Sequence, residues 1–502
     1  MSNSAMRTIS GSMPRGSDLN FADFVRSDLI PTISAIILGQ VKMYKKCLRE
    51  TAHGTMVQPL NRRSFLGTTT GLAGAITVGF HSGVSSLAAN TSSLDKLNIA
   101  AIGTSNRAAA DINGVASENI VALADIDENF LGQATEKYSA ARPYRDWRVM
   151  LEAEADRIDA VVVGTPDHTH APAAAMAMRM KKHVYCEKPL THTVLEARTL
   201  AELAKENSLV TQMGTQIHAL DNYRRVVELV QSGAIGEIRK VHVWTSSKYS
   251  GRHLVTGSPT PKHVDWDLWL GPVSARPYCE SVGANDERSV VHPFNWRWFW
   301  DYGSGSLGDF GCHYMDLAHW ALELKHPTHV TAKGPTPLLS SATAGLTVDY
   351  DYPARGDLPP VKLKWYDGGK RPVVLSELKD ADGQSLDWES GQLFEGADGM
   401  LLSDYSHHLL LPTEKFADYR RPEPFIPPSL GHHAEWIHAI KTSGQTTCNF
   451  DYSGALTEAV LLGVASYRSG EDFEWDAAEL RVTNSTHAQQ FIHKEYRDGW
   501  SL

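Results

Sequence analysis

Short apolar segments alternate with helical patterns from residue 97 to residue 213 of this 502-residue chain, and this alternation limits its possible folds more than any other feature. The apolar segments are 97–103, 120–125, 160–163, 183–186 and 209–213, with helices expected over 109–115, 128–138, 147–154, 171–180 and 193–207. Short buried strands separated by helices predict an α/β domain with a doubly wound parallel sheet. Right-handed crossovers place the carboxyl ends of the strands at one edge, where open α/β sheets bind ligands.

The loop after the first expected strand has part of the glycine pattern that binds a dinucleotide. Gly103 supplies the tight turn and Ala108 permits close helix packing. The other candidates for cofactor contact in this loop are Ser105, which replaces a second glycine, Asn106 and Arg107. Asp125 ends the second strand 22 residues after Gly103, the distance expected of a ribose-binding carboxylate. A carboxylate there repels a 2′-phosphate, so we expect NAD rather than NADP, although Arg107 offers a partial counter-charge.

Lys188 stands at the carboxyl end of a buried strand, in the sequence Glu187-Lys188-Pro189. We expect its ammonium to face the ligand crevice and to polarise a sugar hydroxyl. The alternative is a strand-end lysine that pairs with Glu187 in solvent. Other strand-end residues converge on the same edge and favour the ligand role. The further candidates for cofactor contact are Lys188 itself, Thr165, Pro166, His168, His170, Glu187 and Gln216.

The spacing of histidines and cysteines does not favour a metal site. His168 and His170 are expected on a loop after a strand, where paired histidines more often form hydrogen bonds near a ligand, and no third ligand has fitting spacing. The five cysteines are scattered without CxxC spacing, so we expect free thiols.

The alternation changes after residue 215, where segments such as 361–365 and 373–378 are expected as antiparallel strands. A helix near 305–317 would place Asp309, His313 and Asp316 on one face, where a histidine oriented by a carboxylate suits general base catalysis. The alternative is a helix cap with a core histidine. The candidates for substrate contact are His218, Arg297 and Trp298, the last within a tryptophan cluster that either stacks on a sugar or belongs to the core.

The segment 164–170 and Glu187-Lys188-Pro189 together resemble the Gfo/Idh/MocA oxidoreductases, and the resemblance extends over roughly 95–490. It implies an NAD-binding Rossmann domain at 95–215 and a substrate-binding and oligomerisation domain at 216–502, of α+β type with an open, mainly antiparallel sheet. It also implies that Lys188, Asp309 and His313 are catalytic, because Asp309 and His313 match the family's Asp-x-x-x-His positions. Ser105 and Ala108 depart from the family's glycines. A homo-oligomer formed through the open sheet is a further implication.

The first 94 residues predict an export signal. The sequence 61–67 contains the pair Arg62-Arg63 ahead of a mild apolar run, as in twin-arginine signals of periplasmic proteins, and the run is too short and too polar for a membrane span. Residues 56–94 are therefore expected to be the signal and linker, and 1–55 a non-native or disordered leader. Because this pathway carries folded proteins, a tightly bound cofactor is expected.

The net charge of −10 and the lack of any Lys/Arg-rich run disfavour nucleic acid as a partner and favour a small molecule. Three functions remain open. The first is an NAD-dependent oxidoreductase that transfers hydride between a sugar or polyol carbon and a tightly bound nicotinamide. The second is an NAD-dependent glycosidase acting by transient oxidation and elimination, and the third is a non-catalytic sugar-binding protein.

Overall fold

The computed structural model describes residues 96–502. The expected leader and twin-arginine segment lie outside the described residues. Within 96–502, no helix combines the length and the apolar character needed to cross a bilayer.

The first sheet has six parallel strands in the order β3-β2-β1-β4-β5-β6, which confirms the doubly wound Rossmann topology. The strands are β1 (Asn98–Ile102), β2 (Asn119–Ala124), β3 (Arg142–Tyr144), β4 (Ala160–Val163), β5 (His183–Cys186) and β6 (Thr211–Met213). The helices between them are α1 (Asn106–Gly114), α2 (Glu128–Lys137), α3 (Trp147–Ala153), α4 (Asp167–Arg179) and α5 (Val194–Glu206). The central strand β4 is buried along its whole length, as expected of a parallel strand covered on both faces.

Helix α4 begins four residues earlier than the sequence pattern predicts. Its first turn carries His168 and His170, which are therefore helical and not on a loop. Pro172 lies inside this helix. A proline has no N–H, so the carbonyl four residues earlier, that of His168, has no helical donor. The Lys494 ammonium donates to that carbonyl at 3.3 Å.

The second sheet has nine strands in the order β16-β15-β14-β7-β13-β12-β11-β17-β18 and is antiparallel except between β7 and β13. Its strands are β7 (Ile238–Trp244), β11 (His329–Lys333), β12 (Thr347–Tyr352), β13 (Val361–Tyr366), β14 (Gly391–Gly396), β15 (Gly399–Ser403), β16 (His408–Leu411), β17 (Phe473–Asp476) and β18 (Arg481–Val482). This sheet confirms the predicted mainly antiparallel architecture. A separate three-stranded sheet contains β8 (His253–Thr256), β9 (Cys279–Val282) and β10 (Arg288–Val290).

The expected strand at 373–378 is wrong, because this segment is a short 3-10 helix, Val373–Glu377. Pro372, immediately before it, cannot donate to a sheet partner. Only Leu375 is buried, whereas Val373 is 81% exposed, so the apolar run does not form the face of a strand.

The remaining helices cover the second sheet and link it to the first. They are α6 (Asp221–Gln231), α7 (Trp266–Leu270), α8 (Gly305–Tyr314), α9 (Asp316–Ala321), α10 (His432–Thr442), α11 (Phe450–Ser469) and α12 (Thr486–Gln489). Helix α11 is buried over most of its length and packs against α5 of the first sheet and against α8. The core therefore continues from the Rossmann layer to the helix that carries Asp309 and His313.

Candidate active site

The turn between β1 and α1 has the geometry expected of a diphosphate loop. Gly103 has a φ of +87°, and a Cβ there would lie 3.0 Å from the carbonyl oxygen of Gly164. A Cβ on Gly164 would in turn lie 2.6 Å from the Cβ of Ala108, so the helix packs as closely as the sequence predicts. The N-cap residue of α1, Ser105, makes no side-chain capping bond. Because helix N-termini with free amides bind anions, these residues fit a dinucleotide pyrophosphate.

The charge of Arg107 is compensated by other residues. It is therefore not available at the end of β2 as a counter-charge to a 2′-phosphate. Its guanidinium forms ion pairs with Asp111 at 2.6 Å and with Glu187 at 3.2 Å. Gln216 donates to the same Glu187 oxygen at 2.6 Å. Burial raises the pKa of Glu187 to about 8, with a further increase from Asp111 and an opposing effect of Arg107. The predicted residues Arg107, Glu187 and Gln216 therefore form one hydrogen-bonded group beside the loop.

Asp125 supports the nucleotide loop at the end of β2. Its Oδ2 accepts hydrogen bonds from the amide and hydroxyl of Thr104, both at 2.8 Å, and its Oδ1 accepts from the amide of Asp127 at 3.0 Å. Burial raises the pKa of Asp125, and these hydrogen bonds oppose the increase. Within residues 96–502, Oδ1 accepts only one hydrogen bond and keeps a second lone pair, so the position stays compatible with a ribose hydroxyl donor.

Lys188 meets Asp309 from the other half of the chain. The ammonium donates to Oδ1 of Asp309 at 2.6 Å and to its carbonyl oxygen at 2.7 Å. The hydroxyl of Tyr249 donates to Oδ2 at 2.7 Å, and Nε of Arg297 lies 3.4 Å from Oδ1. The alternative of a solvent-exposed pair with Glu187 is wrong, because the Lys188 side chain is 12% exposed and its partner is Asp309. An ammonium has three hydrogens, so one stays available for a ligand oxygen.

The charges around Asp309 keep it ionised. Burial alone would raise the pKa of this carboxyl, but Lys188 and Arg297, with hydrogen bonds from Lys188 and Tyr249, hold it well below its usual range. His313 has the opposite behaviour. Burial and the nearby Lys188 charge hold its pKa well below the usual range, despite Asp309. The imidazole is therefore neutral at physiological pH, and its buried Nδ1 has no partner among the described residues.

Asp309 does not orient His313 through a hydrogen bond, which corrects the sequence prediction. Its carboxylate bonds to Lys188, Tyr249 and Arg297 instead. The two residues still lie four apart on α8, on one face. Asp316 does not continue that face, because α8 ends at Tyr314 and Asp316 begins α9.

Several predicted ligand residues make contacts within the protein. The imidazole of His168 donates to the carbonyl of Trp269 at 2.9 Å. The two ring nitrogens of His170 lie 2.9 Å and 2.7 Å from the carbonyl oxygens of Pro189 and Thr165, and the neutral ring donates to one of them. Burial lowers the pKa of His168 to about 3 and that of His170 to about 4. Pro166 is the N-cap residue of α4. Thr165 contributes backbone beside Gly103.

The predicted substrate contacts divide into two groups. Arg297 contacts Asp309, and the Trp298 ring packs 4.4 Å from that of Tyr249, so both adjoin the Lys188 group. His218 is instead buried, stacked on Trp320 at 3.9 Å, with Nδ1 3.0 Å from both oxygens of Asp316.

Sequence reasoning missed Tyr249 and Asp167. Tyr249 lies in an irregular segment and no local pattern marks it. Asp167 lies inside the motif at 164–170, and its Oδ1 is buried without a partner among the described residues. Burial and the charge of Asp309 raise its pKa well above the usual range, although Arg297 and Lys188 oppose this. The neutral carboxyl of Asp167 therefore adjoins the charged group around Asp309. The sequence signal that could have identified Asp167 is an acid in the segment that directly follows a buried strand.

One group of potential metal ligands occurs in the described residues. Donor atoms of His218, Asp316 and Cys448 lie within 4.8 Å of one another. Burial raises the pKa of the Cys448 thiol well above its usual range, with a further increase from Asp316. Nδ1 of His218 already bonds to Asp316 within this group.

The parallel sheet and the glycine turn after β1 indicate a dinucleotide-binding protein. The buried pair of Lys188 and Asp309 joins its Rossmann domain to a second α/β domain. Comparison with known families supports this class. Residues 97–215 match an oxidoreductase family with an NAD-binding Rossmann fold, and residues 221–502 match the C-terminal alpha/beta domain of the same family. The chain therefore belongs to the Gfo/Idh/MocA oxidoreductase family, and NAD is the cofactor of its Rossmann domain.

The relatives include sugar and polyol dehydrogenases. The chain is 25% identical over 198 residues to levoglucosan dehydrogenase from Pseudarthrobacter phenanthrenivorans, over 39% of this chain and 41% of that protein. It is 26% identical over 147 residues to myo-inositol 2-dehydrogenase from Thermotoga maritima, over 29% of this chain and 40% of that protein. These alignments span about two fifths of the length of each curated relative.

The fold resembles that of an inositol dehydrogenase homolog from Azotobacter vinelandii, whose structure contains NADH and myo-inositol. The TM-score is 0.50 at 18% identity, over 76% of this chain and 98% of that one.

Proposed function

We propose that the protein transfers a hydride between a hydroxyl-bearing carbon of a sugar or polyol and the nicotinamide of NAD. The observation that carries this proposal is the ion pair that joins Lys188 of the Rossmann half to Asp309 of α8, beside the neutral His313. The names of the relatives, which include levoglucosan and inositol dehydrogenases, indicate the same substrate class.

In this mechanism, bound NAD supplies the hydride acceptor. Gly103 and the first turn of α1 would hold its diphosphate, and Asp125 would accept a hydrogen bond from its ribose. His313 takes the proton of the substrate hydroxyl, because its imidazole is neutral near pH 7 and its Nδ1 has no partner within residues 96–502. Lys188 donates its remaining hydrogen to the developing alkoxide, as a fixed positive charge in a buried site. Asp309 holds the ammonium in place.

The preference for NAD over NADP is part of this proposal. Asp125 adds negative charge where a 2′-phosphate would lie, and Arg107 is already paired with Asp111 and Glu187. We expect NAD to raise the melting temperature more than NADP at equal concentration. An equal or larger shift with NADP would contradict this preference.

A panel of polyols, free sugars and glycosides tests the reaction. The wild-type protein with NAD should form NADH with at least one polyol or sugar, and Lys188→Met should lower kcat/KM by about 100-fold or more. Lys205→Met, an exposed lysine on α5, is the matched control and should retain activity. Glycoside cleavage without net NADH would favour the glycosidase alternative. The absence of both turnover and nucleotide binding would favour the sugar-binding alternative.

We also propose export through the twin-arginine pathway to the periplasm. The support is the pair Arg62-Arg63 ahead of a mild apolar run, in residues outside those that the structure describes. Residues 56–94 fused to a reporter that acts only after export should direct it out of the cytoplasm. A double change, Arg62→Lys with Arg63→Lys, should abolish this. Export that persists in the double variant would contradict the proposal.

Self-association through the open face of the second sheet is a further part of the proposal. That face carries cross-strand ion pairs, Lys362 with Asp351 at 2.7 Å and Lys364 with Asp349 at 2.8 Å. We expect a dimer or larger assembly by light scattering. Reversing the charge of Lys364 should weaken it, and a monomeric wild-type protein would contradict it.

A further inference from the structure

A partly enclosed polar cavity of about 400 Å³ lies apart from the Lys188 group. Its wall includes His192 after β5, Gly303 and Ser304 ahead of α8, the C-terminal part of α11, and residues 490–495 of the C-terminal segment. None of the residues assigned above to nucleotide or substrate lines it. Three basic side chains face the cavity, those of Arg276, Arg468 and Lys494.

Two of these three cations already have protein partners. Arg276 forms an ion pair with Asp301 at 2.8 Å. Lys494 forms an ion pair with Glu196 at 3.0 Å and contacts Nδ1 of His192 at 3.1 Å. They fix the shape of the wall, and their charges are largely compensated.

Arg468 is different, because its guanidinium makes no hydrogen bond or ion pair within residues 96–502. Aromatic rings hold it from two sides, Trp300 at 5.2 Å and Phe491 at 5.0 Å from the guanidinium carbon. A guanidinium stacked on aromatic rings is fixed in orientation and keeps its hydrogen-bond donors free at the edge.

Two carboxylates, those of Asp301 and Glu495, also line the cavity, but neither forms an ion pair with Arg468 within residues 96–502. Burial lowers the pKa of Arg468 to about 10, and Asp301 opposes this only in part, so the side chain stays charged at neutral pH. Burial, with the charges of Lys494 and Arg468 among its neighbours, holds the pKa of His192 well below its usual range. A buried charge without a partner is unfavourable, and an anion from solution would relieve that cost.

We propose that this cavity binds a small anion that carries a carboxylate or phosphate group. The free guanidinium fork matches either group in bidentate geometry. A volume of about 400 Å³ suits a small metabolite. Ser304, the N-cap of α8, also lines the cavity and makes no side-chain capping bond. The same helix carries Asp309 and His313.

Binding of inorganic phosphate and of malonate tests this proposal. Calorimetric titrations use the full chain saturated with NAD, so that the nucleotide loop is filled, with chloride keeping the ionic strength constant. At least one probe should bind the wild-type protein, and Arg468→Met should weaken binding by about 10-fold or more, the loss expected for a bidentate charged pair. Binding of only one probe identifies the group.

The matched control is Arg239→Met, an exposed arginine at the start of β7 that pairs with Glu237 and should leave binding unchanged. If Arg468→Met does not fold, Arg468→Lys keeps the charge, loses the fork and should still weaken binding. The proposal is overturned if neither probe binds the wild-type protein, or if the folded Arg468 variant binds as tightly as the wild type. Because no turnover is measured, this result does not depend on the proposed reaction.

Discussion

The carboxylate of Asp309 determines the chemistry of neighbouring side chains at the scale of single residues. It is buried but ionised, because Lys188, Arg297 and Tyr249 all contact it. The ammonium of Lys188 is thereby fixed. Burial, with a further contribution from that ammonium, keeps His313 neutral despite the opposing charge of Asp309. One buried carboxylate therefore positions the proposed hydrogen-bond donor, and burial leaves the proposed base in its unprotonated form.

Tyr249→Phe should weaken this arrangement without removing a charge. Loss of the 2.7 Å hydrogen bond to Asp309 should lower the free energy of unfolding by about 1.5 to 3 kcal/mol, the range for a hydrogen bond to a charged group. We expect kcat/KM to fall by about 10-fold, mainly through kcat, because the Tyr249 hydroxyl holds Asp309, which in turn holds Lys188. Urea unfolding and steady-state kinetics measure both.

Tyr350→Phe is the matched control, because its hydroxyl is buried without a partner among the described residues. Removing it should leave stability nearly unchanged. Equal losses of stability in the two variants would show that the hydrogen bond from Tyr249 to Asp309 does not stabilise the fold.

At the scale of secondary-structure elements, the turn between β1 and α1 combines a left-handed residue with a close backbone contact. Gly103→Ala would strain the positive φ and bring a Cβ within 3.0 Å of the Gly164 carbonyl. We expect a loss of stability of more than about 1 kcal/mol and a loss of NAD affinity of more than about 10-fold. Thermal unfolding with and without NAD measures both effects.

Gly251→Ala is the control for backbone strain, because it shares the positive φ of Gly103→Ala but not its close contact. Gly251 has a similar φ of +76°, but no atom lies within 4 Å of the position that a Cβ would take there. This variant should lose only about 1 kcal/mol and should bind NAD normally. A Gly103→Ala protein that keeps its NAD affinity would contradict the assignment of the loop.

Helix α4 should make the fold sensitive to acid. His168 and His170 have folded-state pKa values of about 3 and about 4, below the ordinary value near 6.5. Their stabilising contribution is therefore complete above pH 6.5 and is lost as the pH falls toward these folded values. Each should lower the free energy of unfolding by about 1.4 kcal/mol per pH unit in that range.

His170→Gln tests this dependence through the slope of the free energy of unfolding against pH, and not through the absolute value of that free energy. Between pH 6.5 and pH 5, its stability should fall about 1.4 kcal/mol per pH unit less steeply than that of the wild type. His407→Gln, at an exposed position, is the control and should leave the slope unchanged. An unchanged slope in His170→Gln would contradict the buried neutral state.

The sequence predicted elements best where the apolar pattern was long or fully buried. Strands β4 and β5 have the predicted bounds. The three-residue strand β3 is too short to leave a pattern, and the 373–378 segment has an apolar run that Pro372 keeps out of a sheet. Lys188 and Asp309 were each identified, but their pairing was not, because local patterns carry no information about contacts 121 residues apart.

At the scale of the whole molecule, the candidate site depends on the packing of the two halves of the chain. Helix α11 is almost entirely buried and contacts α5 on one side and α8 on the other. Because protein interiors are close-packed, this helix fixes the position of α8 relative to the Rossmann layer. The site is therefore preorganised by elements that contain none of its proposed catalytic side chains.

Isotope transfer tests the central claim, that Lys188 and His313 act together on a hydroxyl-bearing carbon beside bound NAD. The protein is given a polyol deuterated at its carbons, and the mass of the reduced nucleotide is measured in a single turnover. We predict one deuterium in the nicotinamide for the wild type, and a rate lower by about 100-fold or more in Lys188→Met with NAD affinity unchanged. A nucleotide that never gains deuterium from any polyol or sugar, or a Lys188→Met protein as fast as the wild type, would contradict the account.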